Sequence, residues 1–214
     1  MVIAIDGPAA SGKGTLAKRL ADHYGLPHLD TGLLYRAVAM AMLDAGLSLE
    51  DEAAAARAAA SLIADKLADP RLRERAMGEA ASRISAVPAV RAALLALQQR
   101  FAETAVGAVL DGRDIGTVVC PQARVKLFIT ASASERARRR HRELALRGEE
   151  TTLSAILADI EARDARDATR ATAPLKAAAD AVILDTTELD ADEAFEAAKR
   201  VVDGARTRGI AAGR

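Results

Sequence analysis

The 214-residue sequence predicts an α/β fold: a three-layer sandwich whose middle layer is a five-stranded parallel sheet. Three observations carry this expectation. Five short aliphatic or β-branched runs occur without apolar–polar alternation, as strands covered on both faces require. Between them lie long segments rich in helix formers, including most of the 52 alanines, which favour helix and a finely divided core. A glycine-rich turn joins the first run directly to helical sequence, as in strand–helix alternation around an open sheet.

The elements follow in chain order. Val2–Asp6 is the first strand, and the helix after the glycine turn carries Leu16 and Leu20 on one stripe before stopping at Gly25. His28–Asp30 is the second strand. Residues 31–107 are too long for a simple crossover and hold helical sequence, including the Ala-rich patch Ala53–Ala60, so an inserted substrate-binding lobe is expected there. Ala108–Asp111 and Val125–Thr130 are the third and fourth strands. Ser132 with Glu135 reads as a helix-opening box, and 131–180 is again overlong, predicting an Arg-rich mobile lid within about 131–150 and its return helices. Ala181–Asp185 is the fifth strand, and Asp190 with Glu193 opens the last helix. Residues 1–30 and 108–205 then form the core, with 206–214 a frayed tail. Both long insertions follow carboxyl ends of strands, where open parallel sheets build their ligand crevice.

Composition excludes several classes. The 30 basic and 30 acidic side chains balance, which argues against a generally basic nucleic-acid binder. The basic half is lopsided, with 24 Arg to 6 Lys, and Arg suits bidentate grips on phosphate and carboxylate. No apolar run reaches the roughly 18 residues of a membrane span, and Met1–Asp6 lacks signal-peptide character. Cys120 stands alone, and His23, His28 and His141 have no ligand spacing, so packing or surface roles are expected and no protein-built metal site. A soluble cytoplasmic protein follows, with no membrane or nucleic-acid partner and no heptad seam to demand an oligomer; a monomer is expected.

The most informative stretch is Gly7-Pro8-Ala9-Ala10-Ser11-Gly12-Lys13-Gly14-Thr15, between a strand and a helix. Small residues let consecutive N–H groups turn toward phosphate oxygens, the helix N-terminus adds positive potential, and Lys13 reaches the outer phosphates. Gly14 stands where the strict phosphate-loop (P-loop) pattern has Ser or Thr, so magnesium is expected to be held partly through water, with Thr15 nearer a phosphate. Such a loop serves GTPase switches, motor ATPases and small-molecule kinases alike.

Arginine positions narrow the choice. After the second strand, Asp30-Thr31-Gly32 turns into a helix with Tyr35 and Arg36, which reads as a second anion site or as a capped helix with a surface arginine. Asp111-Gly112-Arg113-Asp114 closes the third strand, either as a salt-bridged turn or as a rim beside Lys13, with Asp111 placed to orient metal-bound water. Arg163, Asp167 and Arg170, spaced i, i+4, i+7, share one helix face. They are either a surface ion pair with a neighbour or ligands to an anion. Arg136, Arg138, Arg139, Arg140 and Arg142 crowd one helix, which is a solvated face or a lid whose repulsion a polyphosphate relieves. Two anion sites with a lid between them describe a kinase whose acceptor carries a phosphate.

GPAASGKGT, LDTGLLYR, DGRDIGTVVCP and RDARDATRATAPL, in this order, resemble the bacterial cytidylate (CMP/dCMP) kinases, over residues 2 to about 203. The resemblance implies a nucleoside monophosphate kinase fold that transfers the γ-phosphoryl group of ATP to CMP or dCMP with Mg2+. It implies an ATP site at Gly7–Thr15. Arg36, Arg113 and Arg170 are implied as ligands of the acceptor phosphate, Arg163 and Asp167 as sugar contacts, and Ser82, Arg91 and Asp114 as readers of cytosine. Lys13, Arg113, Arg136 and Arg139 form the expected catalytic set. Cytosine presents an amino donor beside two acceptors, which a carboxylate and an arginine complement, whereas uracil sets an acceptor against the carboxylate. Members of this family carry a small β-hairpin before the Ser82 segment; here residues 66–78 (KLADPRLRERAMG) are short, charged and without strand alternation. The alternatives are a kinase of another small acceptor such as UMP or AMP, or a regulatory P-loop NTPase. The latter lacks any guanine-reading NKxD-like motif here.

Overall fold

The structure, a computed structural model, describes residues 1–62 and 67–211. Its strands are β1 (Val2–Asp6), β2 (His28–Asp30), β3 (Ala108–Gly112), β4 (Val125–Thr130) and β5 (Val182–Asp185). They form one sheet in the order β2-β3-β1-β4-β5, with every pairing parallel. Asp6 lies opposite Gly112 and Phe128, and Asp30 opposite Asp111, so the carboxyl ends of the strands finish level along one edge. That edge carries the phosphate loop and both overlong connections.

Non-alternating strands are explained by two cores. Ile3, Ile5, Val109, Leu127 and Ile129 face α1 (Lys13–Tyr24) and α8 (Ala191–Ala211), meeting Leu16, Leu20, Ala198 and Val202. Ala4, Ala108 and Leu110 face the opposite way, into a core shared with α2 (Thr31–Asp44), α3 (Glu52–Ala60), α4 (Arg75–Ile84) and α5 (Pro88–Ala102). The helices α6 (Ala133–Leu146) and α7 (Leu153–Thr169) pack on each other through Ala137, Leu144, Ile156 and Ile160. Small alanine side chains let these helices approach the sheet closely, so one layer on each face suffices without large aromatic anchors.

Local signals place the ends. Gly25 takes the left-handed conformation (φ 65°) that stops α1. The Ser132 hydroxyl accepts from the Glu135 amide at 3.2 Å. At α8, Asp190 accepts from the Glu193 amide at 2.9 Å while the Glu193 carboxylate accepts from the Asp190 amide at 2.9 Å, a reciprocal capping box. α8 continues to Ala211, beyond the expected start of a frayed tail at 206. Ala205 packs on the core, and a helix already nucleated there propagates cheaply through Gly209. Residues 212–214 of that expected tail lie outside the described residues, as does Lys66. Between residues 67 and 78 the described chain contains no strand; a 3₁₀ turn over Pro70–Arg73 leads into α4. No single helix among the described residues is long and apolar enough to cross a membrane.

Candidate active site

The loop from Gly7 to Thr15 is shaped by backbone conformations that small residues permit. Gly7 (φ 154°) and Gly12 (φ 85°) occupy glycine-favoured regions, and Ala10 sits at φ 58°. A Cβ on Gly7 would lie 2.0 Å from the Ile129 carbonyl oxygen. Gly7→Ala is therefore expected to cost about 2–4 kcal/mol, lowering the thermal midpoint by about 5–10 °C. A melting curve matching the unsubstituted protein would contradict this contact.

Lys13 opens α1 and turns its ammonium back over the loop, donating to the Pro8 carbonyl at 3.1 Å. Burial, with the nearby Arg113 guanidinium, pulls its pKa down to about 7. The Ser11 hydroxyl inside the loop is buried without a hydrogen-bond partner.

Across from the loop, Asp30 caps α2 by accepting from the Gly32 amide at 2.9 Å. Burial and the neighbouring Asp111 carboxylate raise its pKa. The Thr31 hydroxyl donates to the Asp111 carbonyl at 2.8 Å, tying β2 to β3, and a Cβ on Gly112 would fall 2.5 Å from that hydroxyl. Asp111 itself meets His28 Nε2 at 2.8 Å. His28, expected to have a bland role, thus sits against a carboxylate beside the phosphate loop. The signal was its place two residues before the end of a short parallel strand.

The arginines gather on the far wall. Arg113 donates from Nε to Asp167 at 2.8 Å, so the buried partner of Asp167 is Arg113 rather than Arg163. Burial opposes ionisation of Asp167, yet the guanidinium groups of Arg113 and Arg163 hold its carboxyl below the usual range. Arg163 is itself pulled down to about 9 by burial and by Arg113, and its Nε is buried without a partner. Arg170 lies just past the end of α7 in an extended conformation (φ −60°, ψ 140°), not on the shared helix face expected of it. Its Nε donates to the Ala173 carbonyl at 2.6 Å while Nη2 is buried without a partner. Arg36 is not a free surface arginine: it donates to the Leu72 carbonyl at 2.6 Å, and burial lowers its pKa.

Deeper in, Arg91 and Asp114 form a direct ion pair with both side chains 8% exposed. Tyr35 lies under the Arg91 guanidinium, 5.7 Å from it. Asp6, the last residue of β1, accepts from the amides of Ile115 at 2.7 Å and Gly116 at 2.8 Å, fixing the turn that carries Asp114. Burial pushes the Asp6 pKa up to about 6 against those two hydrogen bonds. Ser82 is buried, and its hydroxyl accepts from Arg166 Nε at 3.2 Å.

The five crowded arginines of α6 divide. Arg136 is buried, pairing with Asp164 at 2.6 Å and donating to the Ala9 carbonyl of the loop at 3.2 Å. Arg139 donates to the Thr186 hydroxyl at 3.0 Å and faces Gly12. Arg140 lines the main cavity, whereas Arg138 and Arg142 are solvated and pair with Glu135. The main cavity, about 1770 Å³, has the phosphate loop on one wall and Arg36, Arg113 and Arg163 on the other. That volume exceeds the usual range for one small ligand.

No group of three or more His, Cys, Asp or Glu among the described residues is placed to hold a metal ion. The donor chemistry nevertheless suits magnesium delivered with phosphates. The half-buried carboxylate of Asp30 neighbours the buried one of Asp111, and Asp111 Oδ2 lies 3.7 Å from where a Gly14 Cβ would sit.

Comparison with known proteins identifies the family. The family model described as "Cytidylate kinase" matches residues 3–203. A protein named cytidylate kinase from Methylobacterium sp. (strain 4-46) is 72% identical over 203 residues, covering 95% of this chain and 97% of that protein. One of the same name from Methylocella silvestris is 60% identical over 205 residues, covering 96% and 95%. A crystal structure of an uncharacterized protein from Eubacterium ventriosum shares the fold. Its TM-score is 0.54 at 14% identity, over 97% of this chain and 98% of that one.

Proposed function

The chain belongs to the cytidylate kinase family, and from that premise we propose how its residues move the γ-phosphoryl group of ATP to CMP or dCMP. The observation that carries the assignment is a cavity with the phosphate loop on one wall and Arg36, Arg113 and Arg163 on the other. Unpartnered Arg163 Nε and Arg170 Nη2 are buried donors awaiting acceptors.

In this scheme Gly7–Thr15 hold the ATP phosphates and Lys13 neutralises charge as the phosphoryl group leaves. Arg36, Arg113 and Arg170 take the acceptor phosphate, which sets its oxygen in line with the donor. Arg163 and Asp167 contact the sugar. Arg91 and Asp114, with Ser82 behind them, read the base, while Asp30, Thr31, Gly32 and Tyr35 form the floor between the two sites. Arg136 and Arg139 reach the phosphates from α6, with Arg113 from below. Asp111 would hold magnesium through water, with Thr15 nearer a phosphate, and the ion would supply neutralisation of the phosphate oxygens. The transition state is loose, so alignment and charge neutralisation supply most of the rate. Closure of the α6–α7 arm over the cavity keeps water from taking the phosphoryl group. The core at 1–30 and 108–205, the 31–107 lobe and the lid within about 131–150 are the working parts of this scheme. The enzyme acts as a cytoplasmic monomer without nucleic-acid, membrane or protein partners.

A coupled assay with ATP and a panel of monophosphates tests the assignment. CMP and dCMP are expected to turn over far faster than UMP or AMP, and comparable turnover of UMP would overturn it.

Lys13 gives a further test. With its pKa near 7, about half of the empty enzyme carries neutral Lys13 at pH 7, and a polyphosphate favours the charged form. ATP binding is therefore expected to take up about half a proton at pH 7, falling toward none at pH 5.5. Calorimetry in buffers of different ionisation enthalpy reads this directly. A Lys13→Met variant is expected to lose the uptake, and identical uptake in that variant would assign the proton elsewhere.

A further inference from the structure

His28 and Asp111 meet at the edge of the sheet where β2 and β3 end level. Asp30 stands directly opposite Asp111 in the β2–β3 register, and His28 lies two residues before Asp30, on the same face of the strand. Asp111 is buried, and His28 lines the main cavity. The His28 Nε2 lies 2.8 Å from Asp111 Oδ1. An ionised carboxylate can only accept, so the imidazole is the donor. Among the described residues no other hydrogen bond reaches this carboxylate. Its second oxygen, Oδ2, lies 3.7 Å from where a Gly14 Cβ would sit, on the side of the phosphate loop.

A carboxylate turns about its terminal bond in a broad well, so without a donor its two oxygens are not fixed in place. The neighbouring Asp30 carboxylate repels it as well. One hydrogen bond to Oδ1 sets the plane of the group and leaves Oδ2 as the oxygen with acceptor capacity. A carboxylate that holds a hydrated magnesium ion does so by accepting from the ion's water, and its orientation then decides affinity. The Asp111 backbone is tied down separately, by the Thr31 hydroxyl donating to its carbonyl at 2.8 Å. The imidazole therefore governs the side chain rather than the strand.

We infer that His28 is a positioning residue for the magnesium–nucleotide: by donating to Oδ1 it keeps Asp111 Oδ2 on the side of the phosphate loop, as the oxygen left to accept from the ion's water. The inference rests on the reading in which Asp111 holds magnesium through water, and it gives a role to a side chain that reading leaves unused. In this role His28 touches neither the ion nor a nucleotide; it acts through Asp111.

His28→Phe keeps a ring and removes the N–H; His28→Gln gives up the ring and keeps a donor. Each variant, checked for folding by circular dichroism and melting, is titrated calorimetrically with the β,γ-imido analogue of ATP. One titration contains excess Mg2+ and the other EDTA, at the same pH. In His28→Phe the affinity for the magnesium complex is expected to fall about three- to tenfold, the worth of one hydrogen bond, with the metal-free affinity unchanged. His28→Gln should keep both affinities. Unchanged magnesium-dependent affinity in folded His28→Phe overturns the inference, as does an equal loss with and without magnesium, which would mark a structural role. A Gln variant as weak as the Phe variant overturns it too, by assigning the effect to the ring rather than to its donor. Should His28→Phe fail to fold, His28→Leu carries the same test. Asp111→Asn separates the inference from its premise. If that variant loses no magnesium-dependent affinity, the Asp111 reading falls and the inference with it; a loss there without a loss in His28→Phe sinks the inference alone.

Discussion

Lys13→Ala is expected to lower kcat about a thousandfold while the protein remains folded. The ammonium is buried over the phosphate loop and, among the described residues, has no carboxylate in hydrogen-bond contact; it donates to the Pro8 carbonyl. Desolvation makes it an unfavourable charge in the empty site, as its lowered pKa reports. Charge that develops on the leaving and transferring oxygens meets this cation in a medium of low dielectric, where its effect exceeds that of an exposed lysine. Because the interaction strengthens as negative charge moves, the loss should fall mainly on kcat, with a smaller change in KM for the acceptor. Removing a destabilising buried charge should leave the melting temperature unchanged or raised. Rapid-quench measurement of the chemical step checks the result, and a kcat within a few-fold of the unsubstituted enzyme would remove Lys13 from catalysis.

Asp114→Asn is expected to narrow the CMP-over-UMP ratio of kcat/KM on the order of 10- to 100-fold. The carboxylate can only accept, so it rejects uracil by facing one lone pair with another. An amide can turn its nitrogen toward the uracil oxygen and accept the wrong base. The substitution also leaves Arg91, 8% exposed, beside a neutral partner. Breaking a buried pair from one side is destabilising, and a loss on the order of 2–3 kcal/mol, about 5–10 °C in the melting temperature, is expected. Calorimetric melting and initial rates on both nucleotides measure the two effects separately. An unchanged ratio would dissociate Asp114 from base reading whatever the stability did.

The sheet was legible because each strand is a compact apolar run between helix-forming segments, and all five fall within a residue or so of where the sequence placed them. Helix starts were legible where capping is local, as at Ser132 and Asp190. What required the fold was the pairing of distant groups. The His28–Asp111 contact depends on β2 lying beside β3 in one register. Which α6 arginines face the phosphate loop depends on how α6 is rotated against α7, and the spacing of five arginines in seven residues does not encode that. Likewise Ser82 and Ser85 are both hydroxyls at the end of one helix. Only the docking of α4 against α7 gives the Ser82 hydroxyl to Arg166, while the Ser85 hydroxyl bonds the Ser82 carbonyl. The i, i+4, i+7 spacing of Arg163, Asp167 and Arg170 suggested a continuous helical face, but the chain leaves the helix at Arg170.

Asp6 links the two ends of the cavity. Its backbone runs directly into the phosphate loop, and its carboxylate holds the amides that follow Asp114. Whatever distorts one nucleotide pocket therefore pulls, through a single residue, on the other. The donor and acceptor should consequently not bind as independent guests: occupancy by either one stiffens the frame on which its partner lands.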